Sequence, residues 1–231
     1  MANSNLNSNC AFCNFKSPIF KLLGKEELEY LNETRTEAIF SSGETIIKQG
    51  TPVNNVLSFV SGFAKAYIEI NTKQKLIVQL YKKQDFIAVP GIYYDNVSHF
   101  TITAIENSRI CYIDWARFSE LLKSNQVLNN AFLEYLNRNH VRTMERLINL
   151  NCKQSNGKIA DVILYLSENI YNTIKFRLNI TNAEIAQMAG ISKEGAAKII
   201  KEFTQAEIIV LKNKDLEILN IDRLKEISKR G

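Results

Sequence analysis

Histidine is nearly absent: only His99 and His140 occur in 231 residues. Enzymes built on imidazole ligands, such as the cupin oxygenases, need two or three histidines converging with a carboxylate, and no nucleophile stands beside a base to replace them. Catalysis is therefore not expected. Proline and glycine are also sparse, three and nine residues, and the 45% hydrophobic and 23% charged content is that of a globular chain, which excludes collagen-like and low-complexity architectures. No run approaches the roughly 18 apolar residues of a membrane helix, and no basic amino-terminal segment leads into an apolar core. The expectation is a cytoplasmic protein without a membrane partner. Strong charge of one sign is lacking too: the net +5 divides into +2 over residues 1–150 and +3 over 151–231, too slight a tilt to establish a polyanionic partner. Four cysteines without an export signal read as reduced thiols or metal ligands rather than disulfides.

What the chain does have falls into three regions. From Glu37 to Asp114, short β-branched and aromatic runs (Thr45 to Ile47, Val56 to Val60, Ala66 to Ile70, Leu76 to Tyr81, Ile110 to Ile113) alternate with turn signals such as Ser42-Gly43, Ser61-Gly62 and Pro90-Gly91. That spacing predicts an antiparallel barrel or sandwich, preceded by a helix over Ser17 to Leu31. Ala116 to Cys152 lacks proline and glycine and reads as helix, with a break near Lys123-Ser124-Asn125. Its later part places Leu133, Leu136, His140, Thr143, Leu147 and Leu150 on a three-four spacing, the stripe of a paired dimer helix with a polar middle, although such a stripe also suits packing on its own barrel. Gln154-Ser155-Asn156-Gly157 reads as a linker. Beyond it come a helix over Lys158 to Asn169, two short helices within Thr181 to Thr204, and a hairpin of Ile208 to Leu211 with Leu216 to Leu219. Helices followed by a small hairpin make a winged helix, so the fold class is α+β: an N-terminal antiparallel β-barrel of jelly-roll type over residues 1–122, a long dimerisation helix over 123–153 and a winged helix-turn-helix over 154–231.

Within the third region Thr181 and Glu184 form a capping box, Gly190 supplies a tight turn and Ser192 is a good N-cap. Ala196, Ile199, Ile200 and Phe203 then face a core with Ile185 and Ala189, leaving Glu194, Ala197, Lys198 and Lys201 on the opposite face with Lys193 at its leading end. Amines for guanine acceptors or phosphates, a carboxylate for a cytosine amino group and a small alanine for close approach are what a reader of the major groove of double-stranded DNA requires. A solvated charged face is the bland alternative for an isolated helix; the preceding helix, turn and hairpin favour DNA. Gly195, inside this helix, has no independent explanation at this level.

These residues carry a resemblance. Gly43-Glu44-Thr45-Ile46-Ile47 with Gln49-Gly50, Val60-Ser61-Gly62 and Lys65-Ala66-Tyr67, then Gly157-Lys158-Ile159-Ala160-Asp161, then Ile180 to Ile200 resemble, in order, motifs of the family of the cyclic-AMP receptor protein and the fumarate-nitrate regulator. The resemblance implies a homodimeric, sequence-specific transcriptional regulator that works with RNA polymerase, in which Thr181 and Ser192 touch phosphate and Lys193, Glu194 and Lys198 reach bases. Two arginines usual in the family's recognition helix are here lysines, which lack the planar fork that grips guanine, so a different half-site sequence is expected.

The effector is less well specified. Members that bind cyclic nucleotides hold the phosphate with a Gly-Glu and an Arg-Ser pair, whereas this chain has Ile87-Ala88-Val89-Pro90-Gly91 and Ser98-His99. A buried phosphate without arginine lacks compensation, so cyclic AMP is not expected even though Thr143 occupies the place of a base-contacting threonine. An effector pocket near Tyr93, His99 and Thr143 is the remaining expectation. Cys10 and Cys13 form a Cys-x-x-Cys pair, and Cys111 lies where the oxygen-sensing branch has its distant cluster ligand, so the resemblance implies an iron-sulfur cluster on these three, or thiol-based redox sensing, with the ligand set incomplete. The residues alone favour a buried strand thiol at Cys111 and an exposed pair. A scaffold whose winged helix binds protein is the rival from another class.

Overall fold

The computed structural model describes residues 9–71 and 74–231. They form two compact units, one comprising the residues up to Glu69 together with Gln79–Asn139, the other Ile70–Val78 together with His140–Gly231. The division falls inside the long helix, between Asn139 and His140. Residues 155–157, read as a linker, are instead the first turn of a helix.

Eight strands build the first sheets: β1 (Thr36–Phe40), β2 (Thr45–Ile47), β3 (Asn55–Ser61), β4 (Phe63–Glu69), β5 (Lys75–Lys82), β6 (Phe86–Ile87), β7 (Thr101–Ala104) and β8 (Ser108–Asp114). They pair in the orders β1-β8-β3-β6 and β2-β7-β4-β5. The fold is thus a jelly roll of two antiparallel sheets and not a closed barrel. Two elements on its amino-terminal side replace the single expected helix: a 3-10 turn at Pro18–Leu22 and α1 (Lys25–Asn32). They are separated at Gly24, whose amide donates to Glu27 at 2.8 Å. The predicted break in the later helical region is sharp. Helix α2 (Trp115–Ser124) ends, Asn125 accepts the Leu128 amide at 2.9 Å as the N-cap of α3 (Gln126–Cys152), and its own amide group donates to Glu27 at 2.8 Å. Phe20, Phe86, Phe118 and Phe132 close the core here, with ring centroids 5.5–5.7 Å apart along the chain of contacts and mostly edge-to-face, as their quadrupoles prefer.

One row of this jelly roll is polar although buried. Strand register sets Glu37 opposite Cys111 and Cys111 opposite Ser58, and the period of two brings Arg35 and Arg109 onto the same face. Arg35 donates to Glu37 at 2.8 Å, and Arg109 Nε lies 2.7 Å from the other carboxylate oxygen, close enough for an ion pair though misaligned for a hydrogen bond. The Glu37 and Arg35 side chains are only 2% and 6% exposed. Arg35 also donates to the Cys111 sulfur at 3.1 Å. Burial outweighs this nearby cation and pushes the Cys111 thiol up to about 11.

The second unit contains α4 (Ser155–Tyr165), which widens into a π-helical turn at Leu166–Tyr171, then β9 (Lys175–Arg177), α5 (Asn182–Ala189), α6 (Lys193–Gln205), β10 (Ile209–Lys212), β11 (Asp215–Ile218) and α7 (Ile221–Arg230). The expected hairpin is β10 and β11; β9 extends it to three strands, Phe176 pairing with Leu216. Tyr171 stacks on Phe176 with centroids 4.5 Å apart, which fixes β9 to the end of the π-helical turn.

Glu37→Gln leaves two buried guanidinium groups without a countercharge and should cost about 3–5 kcal/mol in denaturant unfolding, whereas Arg35→Met, Glu37→Leu and Arg109→Met made together should cost far less. The protonated Cys111 thiol is favoured by the fold, so its contribution is complete below pH 9.0, the ordinary thiol value, and is lost as pH rises toward about 11. Cys111→Ala should therefore flatten the fall in unfolding free energy between these two pH values, measured by denaturant titration.

Candidate nucleic-acid interface

The helix-turn-helix is assembled by local hydrogen bonds that the side chains at its corners dictate. Thr181 Oγ1 accepts the Glu184 amide at 3.2 Å while the Glu184 carboxylate accepts the Thr181 amide at 2.7 Å, closing the capping box that starts α5. Gly190 ends α5 at φ +62°, a left-handed backbone that side chains rarely adopt. Ser192 Oγ then accepts the Gly195 amide at 3.1 Å and starts α6. A β-carbon at Gly195 would stand 3.0 Å from Ser192 Oγ, a close contact, but Glu184 holds the same position after Thr181 with a full side chain, so the bond alone does not require glycine.

Burial sorts α6 into the two faces expected from its periodicity. Ala196, Ile199, Ile200 and Phe203 are buried with Ile185 and Ala189. Lys193, Glu194, Ala197, Lys198 and Lys201 are exposed, as are Thr181 and Ser192. Lys198 lies 3.9 Å from Glu202, a loose exposed pair worth little in water. The open face thus offers three amines and one carboxylate around a small patch at Ala197, above the positive end of a capped helix. Sequence reasoning missed a second basic point, the wing tip, where Lys212 and Lys214 flank Asn213 at φ +57° and both are exposed. Its signal was the hairpin turn Asn213-Lys214-Asp215, read for structure but not for charge. Lys175 and Arg177 on β9 are already engaged, with Glu217 at 3.0 Å and Asp215 at 3.9 Å.

The residues expected to form an effector pocket do not share a unit. Tyr93 and His99 lie on the surface loop after β6; Tyr93 is 73% exposed with its ring edge on Trp115, and His99 Nε2 pairs with Asp95 at 3.0 Å. Thr143 is exposed on α3 in the other unit. From Gln84 to Ser108 the chain has no lysine or arginine and carries Asp85, Asp95 and Glu106. The Gly91 carbonyl accepts the amides of Tyr94, Asp95 and Asn96 at 2.7–3.0 Å, folding this loop on itself. An anionic loop without a cation is a poor place for a cyclic phosphate.

Cys10, Cys13 and Cys111 are brought together. They line one pocket with Phe15, Lys16, Arg35 and Ser58, whose floor is the strand pair of Cys111 and Ser58. The Cys10 amide donates to Asn32 at 3.1 Å, and Lys16 bridges the Cys10 and Ala11 carbonyls at 3.1 and 2.8 Å. Arg35, Glu37 and Lys16 were not singled out from the sequence, because nothing in its spacing announces a row assembled from distant strands. The donor set does not fit an iron-sulfur cluster. Such a cluster takes four protein ligands, generally deprotonated thiolates. Here only three cysteines meet, Cys111 is hydrogen-bonded to Arg35, and the remaining cysteine, Cys152, is exposed in the other unit. Among the described residues no three histidine, cysteine or carboxylate side chains group as a metal site.

Comparison with known proteins agrees with this architecture. Residues 37–125 match the cyclic nucleotide-binding domain family and residues 157–227 the Crp-like helix-turn-helix domain family, with the whole of α3 between them. The chain is 22% identical over 204 residues to the transcriptional activator protein Anr of Pseudomonas protegens, covering 86% of this chain and 83% of the relative. It is 22% identical over 211 residues to the fumarate and nitrate reduction regulatory protein of Vibrio cholerae, covering 89% and 84%. Among solved structures, FixK2 from Bradyrhizobium japonicum superposes with a TM-score of 0.78 at 13% identity over 86% of this chain and 99% of that one, and a CooA mutant from Carboxydothermus hydrogenoformans with 0.71 at 17% over 85% and 88%, likenesses that speak to the fold. With a jelly roll, a long connecting helix and a capped helix-turn-helix following one another as in these relatives, the chain belongs to the Crp/Fnr family of DNA-binding transcriptional regulators, which are not enzymes.

Proposed function

We propose that the protein works as a homodimer that presents two α6 helices to two half-sites of a pseudo-palindromic operator, about one DNA turn apart. The observation that carries this reading is the unpartnered apolar face of α3: Leu133, Leu136, Val141, Met144, Leu147 and Ile148 are all large apolar side chains that remain exposed. The seam they define is rotated from the stripe expected from the sequence. Leu150 packs on its own helix-turn-helix, where a β-carbon on Gly190 would stand 3.1 Å from it, so Met144 and Ile148 take the places given to Thr143 and Leu150.

In each half-site Glu194 and Lys198 read base edges with Lys193, Ala197 permits close approach, and Lys201, Thr181 and Ser192 anchor phosphates. Lys212 and Lys214 add phosphate contacts from the wing. Regulation works through RNA polymerase in the cytoplasm, in keeping with the family. The anionic loop of Asp95 and the incomplete thiol set argue that the signal is neither a cyclic nucleotide nor an iron-sulfur cluster.

Binding to duplex DNA should weaken steeply with salt as phosphate contacts release counterions; a flat salt response would favour a protein partner for the winged helix. Leu136→Glu combined with Leu147→Glu should sediment as a monomer and lose operator binding. Lys198→Ala should cost about 1–3 kcal/mol and relax preference at one base pair, whereas Thr181→Ala should weaken all sequences alike, both read by competition binding against a panel of single-base operator variants.

A further inference from the structure

The face of α3 turned away from the proposed seam carries a buried cation. Arg146 lies within the stretch that supplies Met144, Leu147 and Ile148 to the seam, yet its guanidinium turns to other elements of the second unit. Its Nη2 donates to the carbonyl of Met188 at 2.7 Å and to the carbonyl of Ile77. Met188 is in the last turn of α5, where carbonyls have no intrahelical donor and the helix presents its negative end. Ile77 belongs to β5, the edge strand of its sheet. Arg146 Nε is buried without a hydrogen-bond partner, and among the described residues the two carbonyls are the only acceptors of this side chain. One turn further on, Leu150 from α3 and Leu76 from β5 close over Gly190, 3.1 and 3.8 Å from where its β-carbon would be.

Burying a guanidinium without a carboxylate is expensive, and a leucine or methionine would fill the same space more cheaply. An arginine here adds direction: two fixed acceptors, on the backbones of two separate elements, meet at one nitrogen. Since α5 and α6 are locked together through Gly190 and Ser192, the orientation of α6 with respect to α3 follows from where the last turn of α5 is held.

We propose that Arg146 is a positioning residue for DNA recognition, which fixes the helix-turn-helix against α3 and the β5 edge and thereby sets the half-site spacing that the dimer accepts. The inference rests on the dimeric reading above, and the test separates the two. Half-sites selected by the wild-type protein from a randomised duplex pool are placed singly, or in pairs whose centre-to-centre spacing is varied by roughly two base pairs on either side of one DNA turn. Wild-type protein should prefer one spacing. Arg146→Met should bind a single half-site as the wild type does, bind the optimal pair about tenfold more weakly, and lose most of the preference among spacings, because two independently oriented heads lose effective concentration at any one geometry.

An unchanged spacing profile in Arg146→Met would overturn the inference. So would equal weakening on single and paired half-sites, which is the mark of mere destabilisation. Should Arg146→Met fail to fold by circular dichroism, Arg146→Lys supplies the same readout, because its shorter, unforked amine retains the charge but stops short of the two carbonyls. Wild-type protein that binds one half-site as tightly as two, or no duplex at all, would remove the dimeric reading and the inference with it.

Discussion

A single 27-residue helix has to serve two opposed surfaces, and the rest of the molecule is arranged around that constraint. At 3.6 residues per turn, side chains a few positions apart can point in nearly opposite directions while remaining fixed to one rigid rod. Met144 lies on the exposed apolar side of α3, and Arg146, two residues on, points away from it to the carbonyls of Met188 and Ile77. Whatever pairs with the first side is thereby held at a set angle to whatever is fastened to the second.

The first unit handles charge differently from the second. Beneath its sheet, Arg35, Glu37 and Arg109 compensate one another, and the thiol of Cys111 is drawn into the same network. Such an ionic row adds little net stability compared with apolar packing, but it is costly to break and fixes the register of β1 against β8. In the second unit the half-buried Arg146 has, among the described residues, only two peptide carbonyls as acceptors. Dipoles belong to whole elements, so this arrangement ties elements together where the ionic row ties strands.

The sequence revealed most where local rules govern. Thr181, Glu184, Gly190 and Ser192 announce the corners of the helix-turn-helix, and the spacing of Ala196, Ile199, Ile200 and Phe203 identifies its buried face; all these are decided within a few residues of one another. The row of Arg35, Ser58 and Cys111 could not be read, because only strand register brings positions so distant together. The stripe on α3 is read differently from burial than from spacing, Leu150 being partly covered and Met144 and Ile148 exposed. A pattern of 3.5 residues drifts by about 20° per heptad on a helix of 3.6, so two neighbouring stripes fit nearly equally well, and the packing of Leu150 on Gly190 decides between them. Strand β9, three residues long, followed no pattern strong enough to separate it from loop, whereas α7 is signalled by its Asn220 N-cap and by Ile221, Leu224 and Ile227 at helical spacing.

Asn125 gives the amino-terminal segment a mechanical role. Through Glu27 it ties the first turn of α1 to the cap of α3, while at the far end of α1 Asn32 holds both the Cys10 amide and the Arg35 guanidinium. Helix α1 is therefore a short strut with one end at the thiol pocket and the other at the head of the long helix. The chain around Cys10 is thus linked to the cap of α3 through the side chains of Asn32, Glu27 and Asn125, a path separate from the aromatic core.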